Sequence, residues 1–450
     1  MADDIVEDDI NCTSVICDGA TCYIDMLTED DFLHIFSFLC LVDRGRAAQV
    51  CKRWNRLMKD STLWKTINLW DNSLQVAAND TSQGPPPQST WSFARNEIQV
   101  LKFLETYVGL ALRRIYLHTV NDDILNCLCS KCPDLQFMSF TSAFSLLSSK
   151  VPSDVDLSLL PTNVEEIVLS VQRGRKRGRK LARGARVGRF VIHPLPKLRC
   201  ITMGDILFDF ELFRRISCCE NLRTLYLTNC YDITEDGFIL LTTRVPEIED
   251  IRLENCRYGY HTQSTSEITK ELTGILQTIC KKLTQLKKFF LVSYTKISYL
   301  PLNEFLGRLG NFQTLRCVGF HGVKGFTLTG FEDIIKSLVL LEELVMSQSE
   351  DVTDKFLQII AKYLRHLRNL QVPVAGNITD TGIQYFTHHP CLNKVNFAFC
   401  RRVSGQAMYD TFLTLPKLQE VIMSSRSDKY LGVFVEKIRK DMPNVTIFEL

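Results

Sequence analysis

The stretch LRTLYLTNCYDITEDGF (Leu222–Phe238) shows the repeating unit of this chain most clearly. Leu225 and Leu227 alternate with outward positions, which indicates a short strand whose leucines turn inward. The small Cys230 falls where the chain bends, and Thr234 with two acids after it predicts the capped start of a helix. One strand, one bend and one helix cannot bury their own apolar face, so such units must stack.

The same frame recurs along most of the chain. Closely similar segments begin at Leu341, Leu367 and Leu392. The first apolar anchors of successive units are Leu112, Leu135, Val164, Leu198, Leu222, Ile248, Leu286, Leu315, Leu341, Leu367, Leu392, Leu418 and Val445. Their median step is 26 residues, which is typical of a leucine-rich-repeat solenoid. We predict an α/β horseshoe of about 13 repeats over residues 93–450, with parallel strands inside and helices outside.

Two steps between anchors are long. The insert between Ile248 and Leu286 looks helical and polar over residues 266–280. The insert after Val164 contains residues 173–189, a basic loop with nine Lys or Arg, four Gly and no acid. We predict that this loop is mobile and leaves the solenoid. Four roles stay open for it: a passive solvated loop, a nuclear-import signal, a site for an acidic or phosphorylated partner, and a site for RNA or DNA.

A different texture marks the segment FLHIFSFLCLVDRGRAAQVCKRWNRL (Phe32–Leu57). Helical spacing predicts two apolar faces, made of Phe32, Ile35, Phe36 and Leu39 and of Ala47, Val50, Cys51, Trp54 and Leu57. Thr28 and Asp43 are the predicted caps of these helices. A unit of about 45 residues cannot bury all its apolar side chains, and the surplus indicates a protein-binding surface.

Two segments on either side of this unit lack apolar periodicity. Residues 1–25 carry seven acids and few large apolar groups, which predicts a disordered acidic tail. Residues 71–92 include three consecutive prolines and are predicted to be a linker. We expect this linker to separate two bodies, residues 26–70 and the solenoid. The alternative is that the surplus apolar side chains pack against the first repeats.

Charge and cysteine content restrict the class of protein. The net charge of +2 argues against binding nucleic acid or a membrane through the overall field. The longest apolar run, residues 35–42, is far shorter than the roughly 20 residues of a membrane span. The chain opens without the pattern of a signal peptide, so its 17 cysteines indicate reduced thiols in the cytoplasm, the nucleus or both.

No motif for catalysis is present, and we predict neither a metal nor a cofactor. The tail cysteines are spaced by five, and we expect incidental thiols: Cys12, Cys17 and Cys22. A second group falls in the repeat frame, which favours thiols of the repeat core over a zinc site: Cys127, Cys129 and Cys132. The pair His388-His389 precedes Pro390 and is predicted to lie in a loop between a helix and a strand.

Together, these segments resemble the family of F-box and leucine-rich-repeat proteins. The F-box resemblance rests on Leu27, FLHIFSFL, RAAQVCKRWNRL and the closing STLWKTINL. The repeats from residue 112 onward resemble the cysteine-containing type. One departure is Thr28, where the family usually has proline.

The resemblance implies a substrate receptor of an SCF, or cullin–RING, ubiquitin ligase. The F-box would dock on the adaptor that connects to the cullin and RING subunits, and the repeats would bind a protein substrate. The implied adaptor-binding residues are Leu27, Phe36, Leu39, Leu41, Val50 and Trp54. Such a subunit needs no catalytic residue, because it acts by holding a substrate lysine near the conjugating enzyme. The alternative is a non-degradative interaction scaffold.

The substrate would meet the concave face, which the outward strand residues form. In this frame they include Thr224, Tyr226, Arg252, Lys288, Phe290, Glu343, Asn369, Gln371, Asn396 and Ile422. Tyr226, Arg252 and Phe290 are the candidate hot spot, since aromatic residues and arginine dominate interface energetics. Ordinary scatter of surface residues remains the alternative.

The segment DMPNVTIFEL (441–450) continues the frame. Its apolar residues predict a final strand with Val445, Phe448 and Leu450 as core anchors.

Overall fold

The computed structural model describes fourteen stretches of the chain. They are residues 23–69, 97–117, 120, 122–141, 155–156, 160–170, 190–191, 193–206, 208–259, 265–297, 313–323, 327–348, 352–424 and 431–449. Most of the predicted acidic tail, all of the predicted linker (71–92) and the basic loop (173–189) lie outside them.

Three short helices form the N-terminal unit: α1 (Glu29–Ser37), α2 (Leu41–Ala47) and α3 (Lys52–Met58). A 3₁₀ helix precedes them at Tyr23–Met26, and another follows at Ser61–Trp64. The segment predicted as one second helix is therefore two, because the chain turns between Ala47 and Lys52.

The two predicted caps of this unit have different outcomes. The Thr28 cap is confirmed, since Thr28 Oγ1 accepts from Asp31 N at 3.2 Å and Asp31 Oδ2 accepts from Thr28 N at 3.0 Å. The prediction that Asp43 caps the second helix is wrong. Helix α2 begins after Cys40, whose thiol donates to Asp43 Oδ2 at 3.1 Å.

One parallel sheet runs through the rest of the structure, and it confirms the predicted fold class. Its 14 strands follow chain order. They are β1 (Thr66–Asn68), β2 (Arg114–Leu117), β3 (Phe137–Thr141), β5 (Glu166–Ser170), β7 (Cys200–Gly204), β8 (Thr224–Thr228), β9 (Asp250–Glu254), β10 (Lys288–Ile297), β11 (Cys317–Val323), β12 (Glu343–Ser347), β13 (Asn369–Gln371), β14 (Lys394–Asn396), β15 (Glu420–Met423) and β16 (Thr446–Glu449). Strands β4 (Val155–Asp156) and β6 (Phe190–Val191) form a separate pair.

Helices connect these strands on the outer side of the sheet. They are α4 (Glu97–Tyr107), α5 (Asp122–Lys131), α6 (Phe210–Ile216), α7 (Glu235–Arg244), α8 (Thr265–Lys282), α9 (Leu328–Ser337), α10 (Asp354–Tyr363), α11 (Asp380–Gln384), α12 (Gly405–Phe412) and α13 (Leu431–Asp441). The polar insert predicted to be helical is the long helix α8. The apolar anchors pack between strands and helices in one continuous core.

Stacking of the repeats depends on polar bonds as well as on apolar burial. Asp380, at the start of α11, accepts from Ser404 N at 2.6 Å and from Ser404 Oγ at 2.8 Å. Asp354 accepts from the amide and hydroxyl of Thr379 in the same way, at 2.8 and 2.6 Å. Thr379 therefore occupies the cap position of α11, but its hydroxyl binds the preceding repeat instead of its own helix.

The small cysteines at the bends also bind the preceding repeat. Cys230 Sγ donates to Met203 O at 3.4 Å, and Cys400 Sγ donates to Val372 O at 3.1 Å. A thiol suits this position because it is small, apolar and still a weak donor.

The last strand corrects one predicted register. Strand β16 pairs with β15 so that Ile447 lies opposite Val421 and takes the inward position. Phe448 therefore points away from the core and is exposed, so its prediction as a core anchor is wrong. Val445 is half-buried, and Leu450 lies outside the described residues. The physical reason is that one residue fewer separates the anchor Val445 from the strand than in earlier repeats.

The expectation of two separate bodies is also wrong at the point where they meet. Strand β1 follows the N-terminal helices directly and pairs in parallel with β2, with Ile67 opposite Ile115. Trp64 packs its ring at 5.5 Å from Phe103 and at 5.0 Å from Tyr107 of α4. The N-terminal unit is thus built into the first turn of the solenoid.

Candidate protein-binding surfaces

The N-terminal unit holds an aromatic core of three rings. The ring centroids of Phe32 and Phe36 lie 5.6 Å apart, and Trp54 lies 5.7 and 5.0 Å from them. Arg53 covers the Phe32 ring at 4.6 Å and donates to Leu27 O at 2.9 Å. This core fixes α1 against α3 and leaves other apolar side chains outside.

The six side chains predicted to bind an adaptor divide by burial. Phe36 is buried within the aromatic core, so the structure assigns it to folding and not to a contact surface. Val50 is 63% exposed. The remaining four are half-buried: Leu27, Leu39, Leu41 and Trp54.

The most exposed apolar side chains of this unit were not among the six. Phe38 is 77% exposed and Met26 is 71% exposed. Ile35, predicted on the packed face of the first helix, is also exposed. Phe38 follows the last residue of α1, so the helical spacing that places Phe32 and Phe36 inside does not extend to it. With Val50, these residues form what we call the F-box surface: Met26, Ile35, Phe38 and Val50.

On the concave face, the three predicted hot-spot residues are brought together. Tyr226, Arg252 and Phe290 lie directly opposite one another on β8, β9 and β10. The Arg252 guanidinium lies 5.7 Å from the Phe290 ring centroid, and it pairs with Glu254 Oε2 at 3.1 Å. The hot-spot residues are thus one contiguous group of side chains.

Asp250 lies beside this group and was missed. Its Oδ2 accepts a 2.6 Å hydrogen bond from Tyr226 Oη, whereas Oδ1 has no hydrogen-bond partner among the described residues. The residue is only 8% exposed, and burial raises the pKa of its carboxyl. Burial, with the hydrogen bond to Asp250, also raises the pKa of Tyr226. The repeat frame contained the signal, because Asp250 holds the same outward position as Thr224.

Gly319 gives the Phe290 ring its position. A Cβ added at Gly319 would lie 2.2 Å from Phe290 Cδ1, so the ring lies over bare backbone of the next strand. A side chain at Gly319 would push the ring away from its place on the concave face.

A second group of aromatic and cationic residues lies nearer the N-terminal end of the concave face. The Arg114 guanidinium covers the Phe137 ring at 4.2 Å, and Tyr116 lies 4.7 Å from the same ring. The frame places all three on outward strand positions, yet they were not predicted as a site.

Several cysteines and His389 are buried among the repeats. Burial raises the pKa of Cys200 to about 11 and that of Cys132 to about 12, so both thiols are protonated at neutral pH. The described residues contain no group of three or more potential metal ligands. His389 lies in the predicted loop and is buried, with Nε2 at 3.0 Å from Leu364 O. No helix in the described part of the chain is long and apolar enough to cross a membrane.

Comparison with known proteins finds relatives that are named for an F-box together with leucine-rich repeats. The F-box-like family matches residues 32–70. F-box/LRR-repeat protein 4 of Bos taurus is 26% identical over 303 residues, which are 63% of this chain and 44% of the relative. F-box/LRR-repeat protein 12 of Homo sapiens is 23% identical over 219 residues, which are 47% of this chain and 57% of the relative.

The chain therefore contains an F-box-like segment and is similar to F-box/LRR-repeat proteins. It spans about half the length of the curated relatives it matches. The F-box-like match covers most of α1, all of α2 and α3, and also β1, which is the first strand of the repeat sheet. In this chain the F-box-like segment and the repeats therefore share one sheet.

Two solved structures align with parts of this chain at low sequence identity. A crystal structure of the Rad7 and Elc1 complex in yeast is 14% identical with a TM-score of 0.45, covering 79% of this chain and 88% of the other. An internalin C2 from Listeria monocytogenes is 18% identical with a TM-score of 0.31, covering 46% and 74%.

Proposed function

We propose that this chain is the substrate-recognition subunit of an SCF-type cullin–RING ubiquitin ligase. In this proposal the F-box binds the cullin adaptor, and through it the cullin and RING subunits, while the repeats bind a protein substrate for ubiquitination. The observation that carries the proposal is the F-box surface, where Phe38, Met26 and Val50 are each more than half exposed.

Large apolar side chains on a small helical unit are costly unless a partner covers them. Burying one such side chain stabilises a complex by roughly 1.5–3 kcal/mol. Two of them could therefore account for on the order of a hundredfold or more in the affinity for an adaptor. Phe36 contributes indirectly, by holding α1 in place.

Substrate binding is assigned to the concave face around Tyr226, Arg252 and Phe290. These side chains combine a cation, two aromatic rings and a fixed geometry, which is the composition of interface hot spots. The subunit would contribute position and not chemistry, in line with the generally non-catalytic role of this family.

The direct test is binding of the purified adaptor to the full chain by titration calorimetry. We expect Phe38→Asp with Val50→Asp to weaken binding at least a hundredfold, because both carboxylates would be buried in the complex. Val433→Asp is the matched control, since Val433 is 65% exposed on α13, far along the chain from the F-box. Equal affinity of the double variant and the wild type would refute the proposal.

A second function is a non-degradative scaffold in which the F-box caps the solenoid or binds its adaptor outside a ligase. The pairing of β1 with β2 favours a capping role, since it covers the first strand of the repeats. Both functions allow the adaptor to bind, so they differ in whether the cullin joins the complex.

A further inference from the structure

One backbone position recurs in a left-handed conformation just after the strands. The residues there have φ between 49 and 61° in six repeats: Asp205, Asn229, Asn255, Gln348, Val374 and Phe399. Five of these residues share one hydrogen bond, in which the backbone amide donates to a backbone carbonyl of the next repeat. For example, Asn229 N donates to Glu254 O at 2.7 Å and Val374 N donates to Ala398 O at 2.8 Å.

Side-chain chemistry changes along this series. Aspartate and asparagine tolerate the left-handed conformation best, because a short polar side chain can bond to the local backbone. The earlier repeats follow this rule with Asp205 and Asn229, and Gln348 is still polar. Val374 and Phe399 break it, and a β-branched valine is among the least suited residues. Backbone strain of this kind tends to persist where a function retains it.

Neither apolar side chain is explained by packing. Val374 is 43% exposed and Phe399 is 38% exposed, on adjacent repeats at the ends of β13 and β14. Adjacent strands of a sheet lie about 4.8 Å apart, so the two residues are neighbours on one rim of the concave face. An interior role would require full burial, and neither side chain is fully buried.

Two cations follow immediately in the same turn. Arg401 and Arg402 are exposed, and neither forms an ion pair or hydrogen bond with another residue of the described chain. Asp380, the acid that reaches this turn, is already bound to Ser404. We call the four residues the rim surface: Val374, Phe399, Arg401 and Arg402. It combines exposed apolar groups with uncompensated positive charge.

We propose that the rim surface binds an acidic segment of a partner protein that also carries large apolar side chains. Carboxylates of that segment would pair with the two guanidinium groups, which suit bidentate binding. Its apolar side chains would cover Val374 and Phe399. The inference does not depend on adaptor binding, because the F-box surface lies at the other end of the sheet.

The test uses the full-length chain and a fluorescein-labelled octapeptide that alternates glutamate with leucine or phenylalanine. Fluorescence anisotropy measures its binding at low salt. We expect Val374→Asn with Phe399→Asn to weaken binding at least tenfold while the melting temperature stays equal or rises, because asparagine suits the left-handed backbone. Arg401→Ser with Arg402→Ser should also weaken binding at least tenfold and steeply reduce its salt dependence.

Matched controls separate the rim surface from general effects. Gln348→Asn changes the same backbone position where it is already polar, and Lys417→Ser with Lys440→Ser removes the same charge elsewhere. Both should bind the peptide as the wild type does. A peptide with lysine in place of glutamate should not bind.

Three results would overturn the inference. The first is equal binding of the acidic peptide and the lysine peptide. The second is a melting temperature lowered by several degrees in Val374→Asn with Phe399→Asn, which would mean that these side chains stabilise the fold. The third is binding only after removal of residues 1–22, which would make the chain's own acidic segment the occupant.

Discussion

His389 makes the stability of the C-terminal repeats sensitive to mild acid. Its ring is fully buried, Nε2 lies 3.0 Å from Leu364 O, and Nδ1 lies 3.5 Å from the amide of Cys391. The neutral ring satisfies both contacts when Nε2 carries the proton and Nδ1 accepts from Cys391. A second proton on Nδ1 would face that N–H, and burial lowers the pKa of His389 to about 4, from an ordinary value of 6.5.

The sign of the effect follows from this lowered pKa. Between pH 6.5 and about 4 the unfolded chain binds a proton at His389, whereas the folded chain does not. The stability that the neutral His389 ring contributes to the folded state is therefore complete above pH 6.5 and is lost as the pH falls toward 4. At 1.36 kcal/mol for each unit of pKa, the full loss is about 3 kcal/mol in the free energy of unfolding.

Urea unfolding followed by circular dichroism, at intervals from pH 7.5 to 4.5, measures this loss. His389→Gln should be less stable than the wild type at pH 7.5. The difference in their free energies of unfolding should narrow by about 2 kcal/mol as the pH falls, since glutamine does not titrate. His388→Asn is the matched control, because His388 is exposed and its left-handed backbone suits asparagine. If the curves of wild type and His389→Gln stay parallel over this range, the buried neutral ring is not responsible.

Three further predictions concern stacking, the F-box junction and the thiols. Asp380→Asn should lower the free energy of unfolding by about 1–3 kcal/mol, because it weakens both bonds to Ser404; unchanged urea unfolding would contradict this. Trp64→Ala should lower the free energy of unfolding by about 3–5 kcal/mol and expose the contact between the F-box and the first repeat to limited proteolysis. An unchanged digest would mean that this contact does not depend on the Trp64 ring. Alkylation at pH 8.5 should be at least tenfold slower at Cys200 and Cys317 than at a free cysteine, since burial raises their pKa values to about 11 and about 12; equal rates would contradict those values.

The sequence predicted the solenoid well because the same spacing of apolar residues recurs in one repeat after another. Anchors such as Leu222 and Leu367 lie two residues before their strands, as the alternating pattern requires. The exception is Val445, where one residue fewer precedes the strand and Phe448 turns outward. A register can be predicted from a pattern only while the spacing of the pattern holds.

Prediction was weaker in the F-box because its helices are short. Helical spacing across the turn between α2 and α3 placed Val50 on the same face as Trp54, and the break in the helix exposes Val50. The junction was missed because pairing of β1 with β2 depends on residues far apart in the chain. Exposure of Ile35, which lies on the predicted apolar face, likewise follows from tertiary packing, which local pattern does not encode.

The change of residue type at the rim position is visible in the sequence. Aligning the repeats places Asn229, Gln348, Val374 and Phe399 in one column. The change from polar to apolar is visible there, but its meaning is not, because only the backbone shows that the column requires a left-handed conformation.

The central claim is that the F-box surface connects this chain to a cullin. Its most direct test is quantitative capture of the tagged full-length chain from cells, followed by measurement of adaptor, cullin and RING subunit by mass spectrometry. We predict that wild type and Val433→Asp recover all three in fixed proportion, and that Phe38→Asp with Val50→Asp loses all three. Recovery of the adaptor without the cullin by the wild type, or of the cullin by the double variant, would contradict the account.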